Sequence, residues 1–191
     1  MSEIDELHEA LEEVREADQV ASACILYEEI LMQDDEENVF STLLYVNDLI
    51  DLGNYAQAEA TLNRIEELCE TDDAKELFCY YRAILHEKRG EFAEAEKFYR
   101  EAHDWNTSRG ELLLMAAEMA FHRGEGGRAE FLAREALKFQ CDQAEAYGTL
   151  GAYLASQRRF DEAKAMFAKV LESDEGNEHA REWLLDLEHL V

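Results

Sequence analysis

The chain has 191 residues, of which 47% are hydrophobic, 10% aromatic and 33% charged. This composition is too apolar for a disordered acidic tail, and the length is sufficient for one elongated domain with a continuous core. Its 45 acidic and 18 basic residues give a formal charge of -27, which repels phosphate backbones and anionic membranes. We therefore expect neither a nucleic acid nor a membrane as a partner.

The charge is unevenly distributed, because residues 1–74 contain 22 acidic and 2 basic side chains. The simplest interpretation is a solvated helical surface that keeps the protein in solution. The alternative is that this third of the chain attracts a basic partner. The first residues lack the pattern of a secretory signal, and no run approaches the ~20 apolar residues of a membrane span, so we expect a cytoplasmic protein.

Neither the cysteines nor the acidic runs have the spacing of a metal site. Cys24, Cys69, Cys79 and Cys141 form no C-x-x-C pair, and the acidic run 34–37 lacks the central glycine of a calcium-binding loop. The chain also lacks the G-x-S-x-G, P-loop and H-E-x-x-H motifs, and a G-x-G-x-x-G motif after a strand. We predict that the chain is not an enzyme, has no cofactor and no metal, and keeps its cysteines as reduced packing residues.

An alanine recurs along the chain at an almost constant spacing. The interval is 34 residues from Ala95 to Ala129 and again from Ala129 to Ala163, and the earlier intervals of 35 and 37 residues indicate short insertions. Apolar residues flank each of these alanines at helical spacing. A small side chain at such a position lets the two helices of a hairpin pack closely. The full set is Ala23, Ala58, Ala95, Ala129 and Ala163.

Each repeat divides into two apolar-periodic stretches joined by a short turn, which predicts a helical hairpin. Gly53, Gly90 and Gly124 stand at the turns of the three middle repeats, where a residue with positive φ can end the first helix. Asp18 and Arg158 take this place in the first and fifth repeats. The predicted repeats, all within a single domain of residues 1–191, are approximately 4–38, 39–75, 76–109, 110–143 and 144–177.

The fifth repeat carries a characteristic pattern of aromatic, leucine, glycine and alanine residues. The positions W-x-x-L-G-x-x-Y and then A-x-x-x-F are filled by Tyr147, Leu150, Gly151, Leu154, Ala163 and Phe167. This pattern resembles the tetratricopeptide repeat family, and the resemblance covers nearly the whole chain. It implies an all-α, right-handed solenoid of about five helical hairpins. The apolar face of residues 178–191 predicts a capping helix, which an open solenoid needs at its end.

The family's proline near the end of the second helix is missing from every repeat. We expect helices to begin just after Asp73, Ser108 and Asp142 instead, because a glutamate follows each of these residues three positions later. Arg82 and His86 occupy positions that the family usually fills with apolar residues. We expect them to bridge to an acidic residue of a neighbouring repeat, and the alternative is a buried polar switch.

The resemblance implies that the first helix of each repeat lines a concave groove through its positions 2, 5, 6, 9 and 12. In the middle repeats these positions are mostly apolar, which predicts an interaction surface. The alternative is that they are buried by packing between repeats, by the terminal helix or by a second copy of the chain. The predicted partner-binding residues are Phe40, Leu43, Leu44, Asn47, Ile50, Leu77, Tyr80, Tyr81, Ile84, Leu114, Met115 and Phe121.

These patterns predict a protein-protein interaction module or scaffold that binds an apolar segment of a protein or peptide partner, with the acidic first third favouring a basic one. One alternative is a chaperone of a secreted client, because residues 114–133 are loosely similar to the tetratricopeptide chaperones of type III secretion. Another is a self-assembling homodimeric scaffold. The family's cationic clamp for chaperone carboxyl termini is not matched, since its positions are occupied by His8, Glu12, Leu44, Leu77 and Tyr81.

Overall fold

The computed structural model describes residue 22 and residues 25–27, 39–139 and 141–189, and their regular elements are helices. Most of the first predicted repeat, 4–38, lies outside these residues. No helix in the described ranges is long and apolar enough to cross a membrane. The elements are α1 (Val39–Asp51), α2 (Tyr55–Ile65), a 3-10 turn (Glu66–Leu68), α3 (Asp72–Lys88), α4 (Phe92–Trp105), α5 (Glu111–His122), α6 (Gly126–Ala136), α7 (Gln143–Ser156), α8 (Phe160–Ser173) and α9 (Glu178–Glu188).

Glycines with positive φ separate the helices, as the sequence predicts. The φ angles of Gly53, Gly90 and Gly124 are 76°, 75° and 77°. At the first of these turns Gly53 donates to the Ile50 carbonyl and the next amide donates to the Leu49 carbonyl, which satisfies the end of α1. Arg158 takes the same conformation in the fifth repeat, with a φ of 61°. A side chain in this region costs about 1 kcal/mol, so the packing around the turn imposes the conformation on a residue that does not favour it.

The chain forms two compact units, one ending at Gly90 and the other beginning at Glu91. In the first unit, α1 packs against α2 and α3 around a core that contains Val46, Leu49 and Leu62. In the second, α5 packs against α4 and α6, and α8 packs against α7 and α9. The recurring residues Ala58, Ala95, Ala129 and Ala163 are all fully buried, which a close approach of neighbouring helices requires.

A glutamate follows the recurring alanine in three consecutive repeats and binds an arginine at the turn of the next repeat. In the first unit, Glu59 accepts a hydrogen bond from Arg89 at 2.9 Å. Arg89 also donates to the Tyr55 carbonyl at 2.9 Å and directly precedes Gly90. The pair therefore ties the beginning of α2 to the end of α3.

The second unit contains the same connection twice. The Glu96 side chain is only 7% exposed and accepts hydrogen bonds from Arg123 and Arg128, each at 2.9 Å. Glu130 pairs with Arg159 at the following turn and with Arg134 on its own helix. We call the three pairs that join consecutive repeats the turn links: Glu59–Arg89, Glu96–Arg123 and Glu130–Arg159.

The turn links change the ionisation of their carboxylates. The hydrogen bond from Arg89 is the main reason that the pKa of Glu59 lies below its usual value. For Glu130, burial raises the pKa, but the hydrogen bonds from Arg159 and Arg134 outweigh it and the net pKa is lowered. Both carboxylates are therefore held in the charged form.

One of the three predicted helix starts is correct. The Asp142 carboxylate accepts hydrogen bonds from the first amides of α7 at 2.8 and 3.1 Å. The predictions for Asp73 and Ser108 are wrong. Thr71 caps α3 by accepting from the Ala74 amide at 3.2 Å, and Ser108 binds Asn106 in the loop before α5. Thr71 therefore takes the role that the glutamate spacing assigned to Asp73, whereas α5 begins after Gly110, which provides no side-chain cap.

Arg82 makes the predicted bridge between repeats. It donates to Glu66 at 3.0 Å and to Asn63 at 2.7 Å, and so connects α3 to the end of α2 and the 3-10 turn. Cys69 and Cys79 are buried packing residues, as predicted, and burial raises the pKa of Cys69.

The fit between α7 and α8 predicts a stability difference between two glycines of α7. A methyl group on Gly151 would lie 2.9 Å from the Phe167 ring, which is 1% exposed and stacks on Trp183 at 5.2 Å. We expect Gly151→Ala to lower the free energy of unfolding by about 1–3 kcal/mol. In the matched variant Gly148→Ala the added methyl meets nothing within 4 Å, so higher helix propensity should raise stability by up to about 1 kcal/mol. Urea unfolding followed by circular dichroism measures both, and equal effects would contradict the close packing at Gly151.

The lowered pKa of Glu130 predicts a pH-dependent contribution to stability. The contribution is complete above the unfolded-state pKa of about 4.3 and is lost as the pH falls through the lower folded-state pKa. Wild type should therefore be more stable than Glu130→Gln at neutral pH, and the difference should shrink in acid. Urea unfolding at neutral and at acidic pH measures this difference in the free energy of unfolding. The control for the loss of one charge is Glu172→Gln, on the exposed face of α8. A difference that does not change with pH would contradict the assigned role of Glu130.

Candidate partner-binding groove

Two clefts lie on the second unit, on either side of α7. The first, of about 480 Å³, lies between α5 and α7, and we call it the α5–α7 cleft. The second, of about 760 Å³, is lined by α7, α8 and α9, and we call it the α7–α9 cleft. Both are lined by Glu145, Thr149 and Ala152, which recur at helical spacing on one face of α7. The two clefts therefore adjoin along this face, and together they form the α7 groove.

The floor of the α5–α7 cleft contains a stacked aromatic pair. The rings of Phe121 and Tyr153 are 4.7 Å apart with an angle of 23° between their planes. Tyr153 is 5% exposed, whereas Phe121 is 37% exposed. Burial raises the pKa of the Tyr153 phenol, and the nearby charge of Glu118 raises it further, so the ring stays neutral. The cleft thus presents the apolar ring of Phe121, which is supported by the buried ring of Tyr153.

Carboxylates surround this apolar floor. Glu111 and Glu118 lie on α5, and Glu145 lies across the cleft on α7. Burial raises the pKa of Glu111, but its hydrogen bond from Arg109, at 2.8 Å, contributes to a net lowering. The Glu118 carboxylate faces the His122 ring at 3.6 Å. In the described part of the chain, Glu145 has no ion-pair partner, so its charge is open to a ligand.

The α7–α9 cleft has a similar division between an apolar floor and an acidic edge. Phe167 and Val170 of α8 and Ala180 of α9 form the floor, and all three are buried. At the edge, Asp142 is bound to the first amides of α7, and Asp174 accepts a hydrogen bond from the Gly176 amide at 3.0 Å. These two carboxylates are thus partly compensated by backbone donors.

The structure places three of the predicted site residues at the α5–α7 cleft. Phe121 is exposed, Met115 is half-buried, and Leu114 is 5% exposed and belongs mainly to the core. The expectation of an open position is therefore wrong for Leu114, because its side chain points into the packing around α5.

The other nine predicted residues lie in the first unit, where they differ in exposure. Leu43 and Ile50 are 1% and 2% exposed, so the expectation that they line an open groove is wrong, because they complete the core between α1, α2 and α3. Phe40 and Leu44 are exposed by 48% and 40%. The half-buried residues are Asn47, Leu77, Tyr80, Tyr81 and Ile84.

The residues missed by the sequence analysis follow the same repeat register that found the others. The groove positions of the fourth repeat also include Glu111 and Glu118, which the apolar pattern does not select. Applied to the fifth repeat, the register gives Glu145, Thr149 and Ala152, the residues shared by the two clefts. The signal for the acidic edge was therefore present in the sequence.

Comparisons with known proteins identify the repeat and the fold. A model of the tetratricopeptide repeat family matches residues 144–177. A search of curated protein sequences found no match.

Three solved structures are similar over most of the chain. The C-terminal part of a TPR repeat-containing protein from Cytophaga hutchinsonii has a TM-score of 0.82 at 15% identity, covering 94% of this chain and 69% of that one. MamA has a TM-score of 0.74 at 19% identity, with coverage of 90% and 92%. YrrB, a TPR protein with an unusual peptide-binding site, has a TM-score of 0.65 at 19% identity, with coverage of 86% and 82%. The predicted all-α helical-repeat solenoid is confirmed by these similarities.

Exposure in the α5–α7 cleft predicts which side chains can be removed without unfolding the protein. Leu114→Ala should lower the free energy of unfolding by about 2–5 kcal/mol, because it empties a buried position. Phe121→Ala should lower the free energy of unfolding by only about 1 kcal/mol, since it removes a partly exposed ring that stacks on Tyr153. Thermal unfolding by circular dichroism compares the two, and a larger loss for Phe121→Ala would place that ring in the core.

Proposed function

Because the chain carries a tetratricopeptide repeat at residues 144–177 within the fold of tetratricopeptide repeat proteins, we propose that it is a protein-interaction module that binds a segment of a partner along the α7 groove. The observation that carries this proposal is the half-exposed ring of Phe121, which stacks on buried Tyr153 at the floor of a cleft. An aromatic surface that is fixed in place loses little side-chain entropy on binding, which favours contact with another protein.

The geometry of the α7 groove supports a chain-like ligand. Its two clefts meet at Thr149 and Ala152, which are small and half-buried, so a segment could cross α7 without displacing a bulky side chain. Both floors are apolar, and their area would be removed from water on binding. YrrB, which has a similar fold, has a peptide-binding site, and this also favours a peptide segment as the ligand.

The charge of the chain supports an additional role in association. The excess of acidic residues in 1–74 produces a negative field that accelerates the approach of a basic partner while adding little to the lifetime of the complex. Phe40 and Leu44 of α1 add exposed apolar surface to the first unit. In this proposal the protein is a cytoplasmic scaffold with a binding role and no catalytic one.

Site-specific photocrosslinking tests the proposal. Phe121→benzoylphenylalanine places a photoreactive ring in the α5–α7 cleft, and irradiation in cells of the source organism should give a discrete adduct with another protein. The control is Phe131→benzoylphenylalanine, because Phe131 is 54% exposed on α6 and lines neither cleft. We expect an adduct at position 121 and none of the same mass at position 131.

The mass of the adduct separates the proposal from its alternatives. An adduct of twice the chain's own mass would indicate a homodimeric scaffold in place of a partner-binding module. An adduct with an exported protein would indicate a chaperone of a secreted client. No adduct at position 121, or the same adduct at both positions, would contradict binding in the α7 groove.

A further inference from the structure

We infer that the α7 groove selects a cationic segment, with basic residues on both sides of an apolar one, and that this segment crosses α7 to contact both clefts. The inference rests on the proposed function and specifies the chemistry of its partner. It differs from the attraction assigned to residues 1–74, because the carboxylates concerned lie in the groove of the second unit.

The charge of the groove lining has a single sign. Among the residues that the structure describes, the two clefts are lined by no lysine or arginine and by two histidines. The carboxylates that line them are Glu111, Glu118, Asp142, Glu145 and Asp174. A peptide with free carboxylates would therefore be repelled, while lysine or arginine side chains would find carboxylate acceptors.

The five carboxylates are not equally available. Glu111 already binds Arg109, and Asp142 and Asp174 accept backbone hydrogen bonds. Glu145 is exposed, has no ion-pair partner in the described residues, and lines both clefts. Its carboxylate is therefore the central contact for a basic side chain of a segment that crosses α7.

The carboxylates on successive helices set the pattern of the ligand. Glu118 lies on α5, Glu145 on α7 and Asp174 just after α8, so a segment that crosses α7 meets them in turn. Met115 and Phe121 offer apolar contact at the α5–α7 cleft. Because packed helices lie about 8–10 Å apart and an extended chain advances about 3.3 Å per residue, basic residues about three positions apart would follow these carboxylates with an apolar residue between them.

The same dimensions set the length of the segment. Packed helices lie about 8–10 Å apart, so a path from α5 across α7 to α9 is about 20 Å long and needs about six extended residues. At the crossing, Gly148 has open space where a side chain would begin, and Thr149 can offer its hydroxyl to a ligand backbone. An extended segment therefore fits the crossing without rearrangement of α7.

Peptide binding measured by fluorescence anisotropy tests the inference. The probe is the fluorescein-labelled peptide Lys-Gly-Phe-Lys-Gly-Leu-Lys, and two matched peptides replace every lysine by glutamate or both apolar residues by serine. We expect measurable binding of the probe at low ionic strength, at least about tenfold weaker binding of both matched peptides, and weakening by added salt.

Variants of the protein locate the contact. Glu145→Gln removes the central charge and should weaken probe binding about two- to fivefold, which is typical of an exposed ion pair. The same change at Glu182, which is exposed on α9 and lines neither cleft, should have no effect. Thr149→Trp fills the crossing and should weaken binding further while leaving the circular dichroism spectrum unchanged.

The possible outcomes distinguish this inference from the proposed function. If the glutamate peptide binds as well as the probe, or if Glu145→Gln behaves like Glu182→Gln, the inference is wrong. Weakening by Phe121→Ala would in that case still support a peptide groove without charge selection. If none of the peptides binds, the inference is also wrong, and the crosslinking experiment decides separately whether the groove has a protein partner.

Discussion

The rest of each unit depends on the pairing of a glutamate with an arginine at the next turn. The glutamate is buried or half-buried and directly follows a fully buried alanine. The alanine lets two helices approach closely, and the glutamate then reaches the following repeat. Glu96 shows the energetic requirement most clearly, because its carboxylate is only 7% exposed and loses most of its hydration. The ion pairs with Arg123 and Arg128 compensate for this desolvation. Each link joins the second helix of one repeat to the turn of the next.

The α7 groove is a consequence of this arrangement in the second unit. The links at Glu96 and Glu130 connect the second helix of one repeat to the turn that follows the first helix of the next. α5 and α7 pack against α6 and α8 respectively, and the side chains on those faces that line the α5–α7 cleft remain open. Side chains on those faces need not be apolar for folding, which leaves Glu118, Glu145 and Phe121 available for binding.

The repeat register explains both the agreements and the errors. Phe121 and Met115, which it selects, line the α5–α7 cleft, whereas the predicted residues of the second and third repeats lie in the first unit. In the fifth repeat the same register gives Glu145. It failed for Leu43 and Ile50, because groove positions and core positions are neighbours on the same helix. Which of them faces the core depends on how α1 packs against α2 and α3.

The sequence by itself determined the all-α class, the positions of the glycine turns and the 34-residue period, because these depend on local backbone preferences and on residues close along the chain. Only the tertiary structure decided which helix ends are capped by which side chains, which glutamates are paired, and which apolar residues are exposed. Glu130 and Arg159 are 29 residues apart, and their contact exists only when consecutive repeats are packed. The same packing buries Tyr153 and leaves Phe121 half-exposed, although both are aromatic residues in first helices of their repeats.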